Sequence, residues 1–246
     1  MSPSTIPHIH LPETDSTNRY ARELLSGAPI SLVSTDYQHA GRGQRGCSWE
    51  SEAGKNLLFT LTIHPLDIPA SQQFAVCELI SVAICDILKS YTADIHIKWP
   101  NDIYHRDKKL CGILIEHDIE GTHLSRSLIG VGLNVNQSHF TSDAPNPVSL
   151  LQILGHEVER ESLLRAIAEH FAQLYEQHYR GMLDRSTLHN NYTSLLSRRD
   201  IEAPYRDAQG EFTGILRDVA PDGTLLLEDE HGNLRSYLFK EVAYVI

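Results

Sequence analysis

A short loop rich in glycine and arginine is the first segment with chemical potential. Residues 41–46 read Gly-Arg-Gly-Gln-Arg-Gly, and Trp49 follows closely. Glycines let a backbone approach a ligand and expose consecutive N–H groups, which together form a concave site for anions. Arginine adds a permanently charged fork of donors that suits phosphate and carboxylate. The loop is neither a Walker loop nor GxGxxG, so by itself it fits a phosphate site and a solvated surface loop alike.

A second segment combines lysines with a carboxylate and an amide. The run Lys98-Trp99-Pro100-Asn101-Asp102 is followed by Lys108-Lys109-Leu110-Cys111-Gly112. If the two runs are neighbouring strands, then Lys98, Asn101, Asp102 and Lys109 cluster near one turn. In such a cluster the lysines suit the α-phosphate of ATP, the carboxylate suits Mg²⁺, and the amide suits a nucleobase. The alternative is a hairpin with a solvated lysine-rich tip, which explains Lys108 but not the polar break at residues 99–102.

Two further segments carry weaker signals. In residues 130–136, two glycines and two asparagines interrupt an apolar strand, and Asn134 could contact an adenine edge. Glycine inside a strand marks a bulge or a close approach, and spacing alone favours a simple bulge. In residues 15–18, Ser16 and Thr17 are ordinary helix caps, although a helix N-terminus also receives a carboxylate or a ureido-like group.

The elements that must position these segments alternate between helix and strand. A first helix begins at Ser16 or Thr17, and a later helix over residues 71–91 is apolar on more than one face, which predicts packing in the interior. Amphipathic spacing predicts two or three helices within residues 148–196. The predicted strands cover residues 30–38 and 56–65 and a meander made of residues 94–99, 111–121 and 125–136.

The pattern changes near residues 197–200. After them come short apolar runs separated by the turns PDG and EHGN, which is typical of a small β-barrel. The sequence therefore predicts two units, residues 1–197 and residues 198–246.

Composition narrows the classes of protein that the chain can belong to. Its 246 residues suffice for one or two domains. The net charge of −11 argues against a protein that mainly grips nucleic-acid phosphates. No apolar run approaches the roughly 20 residues of a membrane span, and no secretory signal is visible. Four cysteines without a CxxC pair predict reduced packing thiols. We therefore expect a cytoplasmic protein that binds neither nucleic acid nor membrane; metal ligands are not identified.

Taken in order, these segments resemble the biotin–protein ligases. The resemblance implies an α+β fold of the class II synthetase type, with a mixed or antiparallel sheet, flanking helices and a small C-terminal SH3-like β-barrel. Because the pattern begins by residue 15, it resembles the monofunctional form without an N-terminal DNA-binding domain. The matching stretches are DSTN (15–18), YQHAGRGQRGCSW (37–49), KWPND (98–102), KKLCGILIE (108–116) and GVGLNVN (130–136).

The resemblance also implies roles for individual residues. Lys109 and Arg42 are the implied catalytic residues. The implied biotin-binding residues are Ser16, Thr17, Asn18, Gln38, Arg42, Gly43, Gln44, Lys109 and Gly112. The implied ATP-binding residues are Arg42, Arg45, Trp49, Asn101, Asp102, Lys109 and Asn134.

The implied activity is a two-step ligation. Biotin is activated by ATP, accompanied by Mg²⁺, as biotinyl-5′-AMP, and is then transferred to a lysine of the biotin-carrier domain of a biotin-dependent carboxylase. Gln44 and Cys47 stand where a common form of the loop, GRGRRGR, has arginines. Because an amide supplies no charge, we expect retention of the acyl-adenylate to depend more on Arg42, Arg45 and Lys109. Three alternatives are a lipoate or octanoate ligase, a transferase of the same fold, and a non-catalytic biotin-binding adaptor. A monomer and a homodimer are both compatible with the sequence.

Overall fold

A seven-stranded mixed sheet is the base of the main unit. The computed structural model describes residues 6–24, 27–43, 48–66, 68–141, 146–179 and 181–245. The strand order is β1-β2-β3-β7-β6-β5-β4; only β1 and β2 are parallel, and every other neighbouring pair is antiparallel. The strands are β1 (His8–Thr14), β2 (Ile30–Gln38), β3 (Leu57–Ile63), β4 (Ile95–Lys98), β5 (Asp102–His105), β6 (Lys108–Glu120) and β7 (His123–Leu133).

The predicted strands are confirmed in outline, but β1 is an addition. Its sequence, HIHLPET, contains one proline and mostly polar residues, and most of its side chains are exposed. It lies at the edge of the sheet, where proline is tolerated because one side of the strand needs no partner. An edge strand of this kind carries little hydrophobic signal, so periodicity did not predict it.

Helices cover the sheet. They are α1 (Thr17–Glu23), α2 (Phe74–Leu88), α3 (Leu150–Leu154), α4 (Arg160–Tyr179) and α5 (Arg185–Ser194), with a 3₁₀ turn at Ala70–Gln72. Thirteen of the fifteen residues of α2 are buried, and α2 contacts α4 and α5, which confirms the prediction that it packs in the interior. The segment Ala70–Leu88 is long and apolar enough to cross a membrane by length and composition alone. In its most apolar window of 18 residues, 67% are buried inside the protein, as is usual for a core helix.

The C-terminal residues form a second sheet of five antiparallel strands. These are β8 (Glu202–Asp207), β9 (Gly210–Val219), β10 (Leu225–Asp229), β11 (Leu234–Tyr237) and β12 (Ala243–Tyr244), in the order β11-β10-β9-β8-β12. We call it the C-terminal sheet. Its buried apolar residues and most of those of the main unit belong to one continuous cluster, whereas Ala21, Val33 and Leu128 form a second, small cluster under α1. Trp99 Nε1 donates a hydrogen bond to the carbonyl of Gly223 at 3.0 Å, so the two sheets are joined directly beside residues 98–102.

The described cysteines serve as packing residues. Cys77, Cys85 and Cys111 are free thiols and all three are buried. Burial raises the pKa of the Cys77 thiol to about 12, which keeps it protonated and unreactive at neutral pH. Cys47 lies outside the described residues.

Candidate functional site

A cavity of about 370 Å³ lies between the seven-stranded sheet and the C-terminal sheet. Fourteen residues were predicted for the site. Eleven of them line this cavity: Ser16, Thr17, Asn18, Gln38, Arg42, Gly43, Trp49, Asn101, Asp102, Lys109 and Gly112. Gln44 and Arg45 lie outside the described residues, so their roles stay predictions. Asn134 does not line the cavity.

The start of α1 forms the polar end of the cavity. Thr17 donates two hydrogen bonds to Gln38 Oε1, from its backbone N–H at 2.8 Å and from its hydroxyl at 3.2 Å. Asn18 Oδ1 accepts from the hydroxyl of Thr60 at 2.7 Å. The prediction that the first helix begins at Ser16 or Thr17 is confirmed, because Ser16 is the N-cap residue of α1. The Ser16 side chain makes no capping hydrogen bond, and Gln38 accepts from the backbone N–H of Thr17 instead. The Ser16 side chain therefore faces the cavity without a capping role.

Glycines of β6 and β7 form a flat floor. Gly112 and Gly132 are opposite each other in the antiparallel register. A Cβ atom on Gly112 would lie 2.6 Å from the ring of Trp49, and one on Gly132 would lie 2.4 Å from it. The register of β6 with β7 has no irregularity here, since its one shift lies between Asp118 and Ile119. The glycines thus permit a close approach, and the bulge favoured by spacing is wrong.

Trp49 and Lys109 meet above this floor. The Lys109 ammonium lies 5.8 Å from the centroid of the Trp49 ring and donates a hydrogen bond to Asp102 Oδ2 at 2.6 Å. Trp49 Nε1 is buried and has no hydrogen-bond partner among the described residues. A buried donor without a partner is costly, and a ligand that accepts from it would remove that cost.

Residues 98–102 bring their side chains to the same cavity. Lys98 and Asp102 are paired across β4 and β5, and the Lys98 ammonium donates to the Tyr104 hydroxyl at 3.4 Å. Burial lowers the pKa of Lys98. Asn101 is buried, and its amide donates to the carbonyl of Ile113 at 3.3 Å. The predicted cluster of Lys98, Asn101, Asp102 and Lys109 is therefore formed, and Asn101 fixes the turn against β6.

Asn134 has a different position from the one predicted. It is 2% exposed, and its amide donates to the carbonyl of Val148 at 3.1 Å. Its backbone N–H donates to the carbonyl of Leu110. Its side chain thus joins the end of β7 to the segment before α3, because a buried amide is most stable when its donors are satisfied. Its Oδ1 has no partner among the described residues, so only that oxygen is uncommitted.

The C-terminal sheet supplies lining residues that sequence reasoning missed. They lie in residues 239–244 and are Phe239, Lys240, Val242, Ala243 and Tyr244. No motif marks them, and they reach the cavity only through the packing of one sheet on the other. Within the described residues, no group of three or more His, Cys, Asp or Glu side chains could hold a metal ion.

Comparison with known proteins decides the family. The profile of the Biotin/lipoate A/B protein ligase family matches residues 11–134. The bifunctional ligase/repressor BirA of Escherichia coli K12 is 31% identical over 246 residues, which cover 95% of this chain and 72% of that protein. The chain belongs to the biotin/lipoate A/B protein ligase family. A biotin–[acetyl-CoA-carboxylase] ligase of Paracoccus denitrificans is 30% identical over 90% of this chain and 94% of its own length.

A solved structure confirms the fold of this family member. The biotin protein ligase of Aquifex aeolicus, in complex with biotin and ATP, superposes with a TM-score of 0.81 at 22% identity, covering 96% of this chain and 97% of that one. The mixed α+β fold predicted from the family resemblance is thereby confirmed.

Proposed function

We propose that this protein is a biotin–protein ligase. It activates biotin with ATP as biotinyl-5′-AMP and transfers the biotinyl group to a lysine of the biotin-carrier domain of a carboxylase. The observation that carries the proposal is the sharing of one cavity by the polar start of α1, Arg42 and the Lys109–Asp102 pair. A site that must unite an uncharged polar headgroup, a carboxylate and a phosphate needs these three parts together.

The first step joins two anions. A carboxylate oxygen of biotin attacks the α-phosphorus of ATP, the new O–P bond forms, and the bond from that phosphorus to the bridging oxygen breaks. Pyrophosphate leaves with the electron pair. Because both reactants are negative, Lys109 and Arg42 reduce their repulsion and stabilise the charge that develops. Holding the reactants in place moves the entropy cost from the barrier to binding.

The second step needs no nucleophile from the protein. The neutral amine of the acceptor lysine attacks the carbonyl carbon of the anhydride, an amide bond forms, and AMP leaves with the electrons of the broken C–O bond. The same two cations stabilise the departing phosphate. Closure of the loop around Arg42 and Trp49 over the anhydride would exclude the water that otherwise hydrolyses it.

Magnesium enters as part of the nucleotide substrate. Among the described residues that line the cavity, Asp102 is the one carboxylate, and it already accepts from Lys109. Mg²⁺ is commonly held by substrate phosphates, water and one or two carboxylates rather than by a full protein cage. We therefore assign Mg²⁺ to the phosphates of ATP, with Asp102 as its available protein ligand.

We further propose that residues 198–246 form a small SH3-like domain beside a catalytic domain of residues 1–197. The five short antiparallel strands of the C-terminal sheet support this assignment. The buried free thiols support a reducing, cytoplasmic location. The net charge of −11 supports a carrier protein, rather than nucleic acid, as the macromolecular partner. A monomer and a homodimer both satisfy the mechanism, because the start of α1, Arg42 and the Lys109–Asp102 pair come from the same chain.

A labelling reaction tests the proposed function. The protein is incubated with biotin, ATP, Mg²⁺ and a carrier domain, and the carrier is analysed by peptide mass spectrometry. We expect one lysine to gain a biotinyl group, with release of AMP and pyrophosphate. Pyrophosphate release with lipoate instead of biotin would identify a lipoate ligase, and biotin binding without any labelling would identify an adaptor.

A further inference from the structure

The cavity is lined by more positively charged side chains than Lys109 and Arg42. Lys98 and Lys240 also line it. In the part of the chain that the structure describes, no carboxylate lies within ion-pair distance of either lysine, whereas Lys109 is paired with Asp102. This local excess occurs in a protein whose net charge is −11. Cations that form no close ion pair and line a cavity attract anionic ligands.

The order of the strands places Lys109 and Lys98 on the same side of the polar end of the cavity. Lys109 lies on β6, and Lys98 lies on β4, two positions further toward the edge of the sheet. Neighbouring strands are about 4.8 Å apart, so β6 and β4 are separated by about 10 Å. Lys98 faces Asp102 of β5 and Lys109 faces Tyr104, so the two lysines are also offset by two residues along the strands. The polar end at Gln38 lies on β2, on the other side of β6. A ligand that runs from β2 past Lys109 therefore reaches Lys98 with its far end.

The C-terminal sheet lies close to Lys98. The Lys98 ammonium lies 5.3 Å from the centroid of the Tyr244 ring, which belongs to β12. Lys240 precedes that strand in a turn closed by the Glu241 N–H, which donates to the carbonyl of Leu238 at 3.0 Å. The backbone of Lys240 has a φ of 73°, a conformation that is rare for a long side chain.

The side chain of Lys240 is positioned by an aromatic pair. Its ammonium lies 5.8 Å from the centroid of the Phe239 ring. Phe239 in turn packs edge-on against Trp99, with 5.9 Å between the ring centroids. This contact packs the residue before Lys240 against the residue after Lys98, and both lysines line the same cavity.

We propose that Lys240, together with Lys98, binds the pyrophosphate half of ATP. This inference rests on the proposed function and adds to it a residue from the C-terminal sheet. When the bond between the α-phosphorus and the bridging oxygen breaks, the electron pair moves onto the departing pyrophosphate. Cations beyond Lys109 stabilise that added charge, which lowers the barrier to adenylate formation. They have no contact with AMP or with the biotinyl group once pyrophosphate has left.

The test compares ligands with and without the pyrophosphate half. The variants are Lys240→Gln and Lys240→Arg, with Lys108→Gln as the matched control, since Lys108 is exposed and lies outside the cavity. For each protein, the KM for ATP in biotin-dependent ATP–pyrophosphate exchange is measured. Calorimetry gives the dissociation constants of inorganic pyrophosphate, biotin and biotinyl-5′-AMP. We expect Lys240→Gln to weaken ATP and pyrophosphate about tenfold, as for a lost hydrogen bond to a charged group, and to leave biotin and biotinyl-5′-AMP unchanged.

Each outcome decides the proposal. Recovery by Lys240→Arg and an unchanged Lys108→Gln protein support a contact made by the charge itself. An unchanged KM for ATP and an unchanged pyrophosphate affinity in Lys240→Gln overturn it, as does an equal weakening of all four ligands. If the wild-type protein shows no biotin-dependent exchange, the proposed function fails, and the pyrophosphate dissociation constants alone still decide the role of Lys240.

Discussion

At the scale of single residues, Lys109 shows how neighbours prepare a side chain for its reaction. Asp102 holds its ammonium by a hydrogen bond of 2.6 Å, and the Trp49 ring lies below it at 5.8 Å. Both contacts restrict the side chain, so that little ordering remains to be done when substrate binds. A freely rotating lysine would have to lose that freedom on binding.

We expect Lys109→Ala to reduce adenylate formation by at least about 10²-fold, the usual effect of removing a donor that stabilises a developing charge. The fold should persist, because the side chain of Lys109 is 25% exposed and supports no buried group. The measurement is biotin-dependent release of pyrophosphate, with thermal unfolding as the check on folding. Lys108→Ala is the control, and adenylation of wild-type speed in Lys109→Ala would contradict the role.

Arg42 carries a separate prediction, because it lies at the loop side of the cavity. Arg42→Ala should raise the dissociation constants of biotin and of biotinyl-5′-AMP, since a permanently charged donor is lost. Isothermal calorimetry measures both constants. Unchanged values for the two ligands would show that Arg42 makes no contact with either.

The surroundings of Lys98 predict that the reaction with ATP depends on pH. Burial lowers its pKa, and the nearby charges of Lys109 and Arg198 act in the same direction, whereas Asp102 opposes them. The neighbouring Tyr104 and Tyr244 have pKa values raised by burial. As the pH rises through the lowered pKa, Lys98 loses its charge while ordinary lysines keep theirs.

The kcat/KM for ATP should therefore decline on the alkaline side at a pH below the range in which ordinary lysines titrate. This parameter reports ionisations of the free enzyme. In Lys98→Arg the decline should move to higher pH, because arginine stays protonated. The same alkaline limb in both proteins would assign the ionisation to another group.

At the scale of elements, the register of β6 with β7 is what makes the floor of the cavity. Alternate positions of a strand point to one face, so Gly130 and Gly132 lie on the same face of β7. Their missing side chains leave room for Asn18 and Trp49 respectively. A one-residue slip of this register would turn both glycines to the opposite face.

Gly132→Ala should displace the Trp49 ring, because the added Cβ would lie 2.4 Å from it, with a central strand unable to move away. We expect biotin affinity to fall about tenfold or more, and stability to fall by about 1–3 kcal/mol through overpacking. Calorimetry and urea unfolding measure the two effects. Gly27→Ala is the matched control, since a Cβ there has no neighbour within 4 Å. Equal affinities in the two variants would show that the floor does not shape the pocket.

The elements also show what the sequence can and cannot predict. Strand β3 and helix α2 were predictable because buried segments carry long apolar runs. The polar edge strand β1 carried no such signal, and the role of Gln38 as the cap of α1 depends on a contact between residues 21 positions apart. Eleven of the fourteen residues that local motifs predicted for the site line the cavity. Lys240 and Phe239 reach the cavity only through tertiary packing, which no local pattern encodes.

At the scale of the whole molecule, a buried carboxylate connects the helices of the main unit to the C-terminal sheet. Glu78 of α2 is 0% exposed; it accepts from Arg185 and is hydrogen-bonded to His189 Nδ1 at 2.8 Å, and both partners belong to α5. His189 Nε2 lies 3.3 Å from Asp218 of β9. One buried acid therefore links α2, α5 and the C-terminal sheet, and the sheet in turn brings residues 239–244 to the cavity.

Glu78→Ala should lower the free energy of unfolding by about 3–5 kcal/mol, because it leaves the partners of a buried charge uncompensated. The matched control is Asp86→Ala on the same helix, whose pair with His170 is partly exposed and should contribute less than about 1 kcal/mol.

Urea unfolding is followed in a Trp49→Phe background, where Trp99 is the remaining tryptophan and reports on its contact with Gly223. Because one continuous core joins the two sheets, we expect Trp99 fluorescence and far-ultraviolet dichroism to change in a single coincident transition. A Glu78→Ala midpoint equal to that of Asp86→Ala would contradict the structural role of the carboxylate, and an early separate change of Trp99 would show that the C-terminal sheet unfolds on its own.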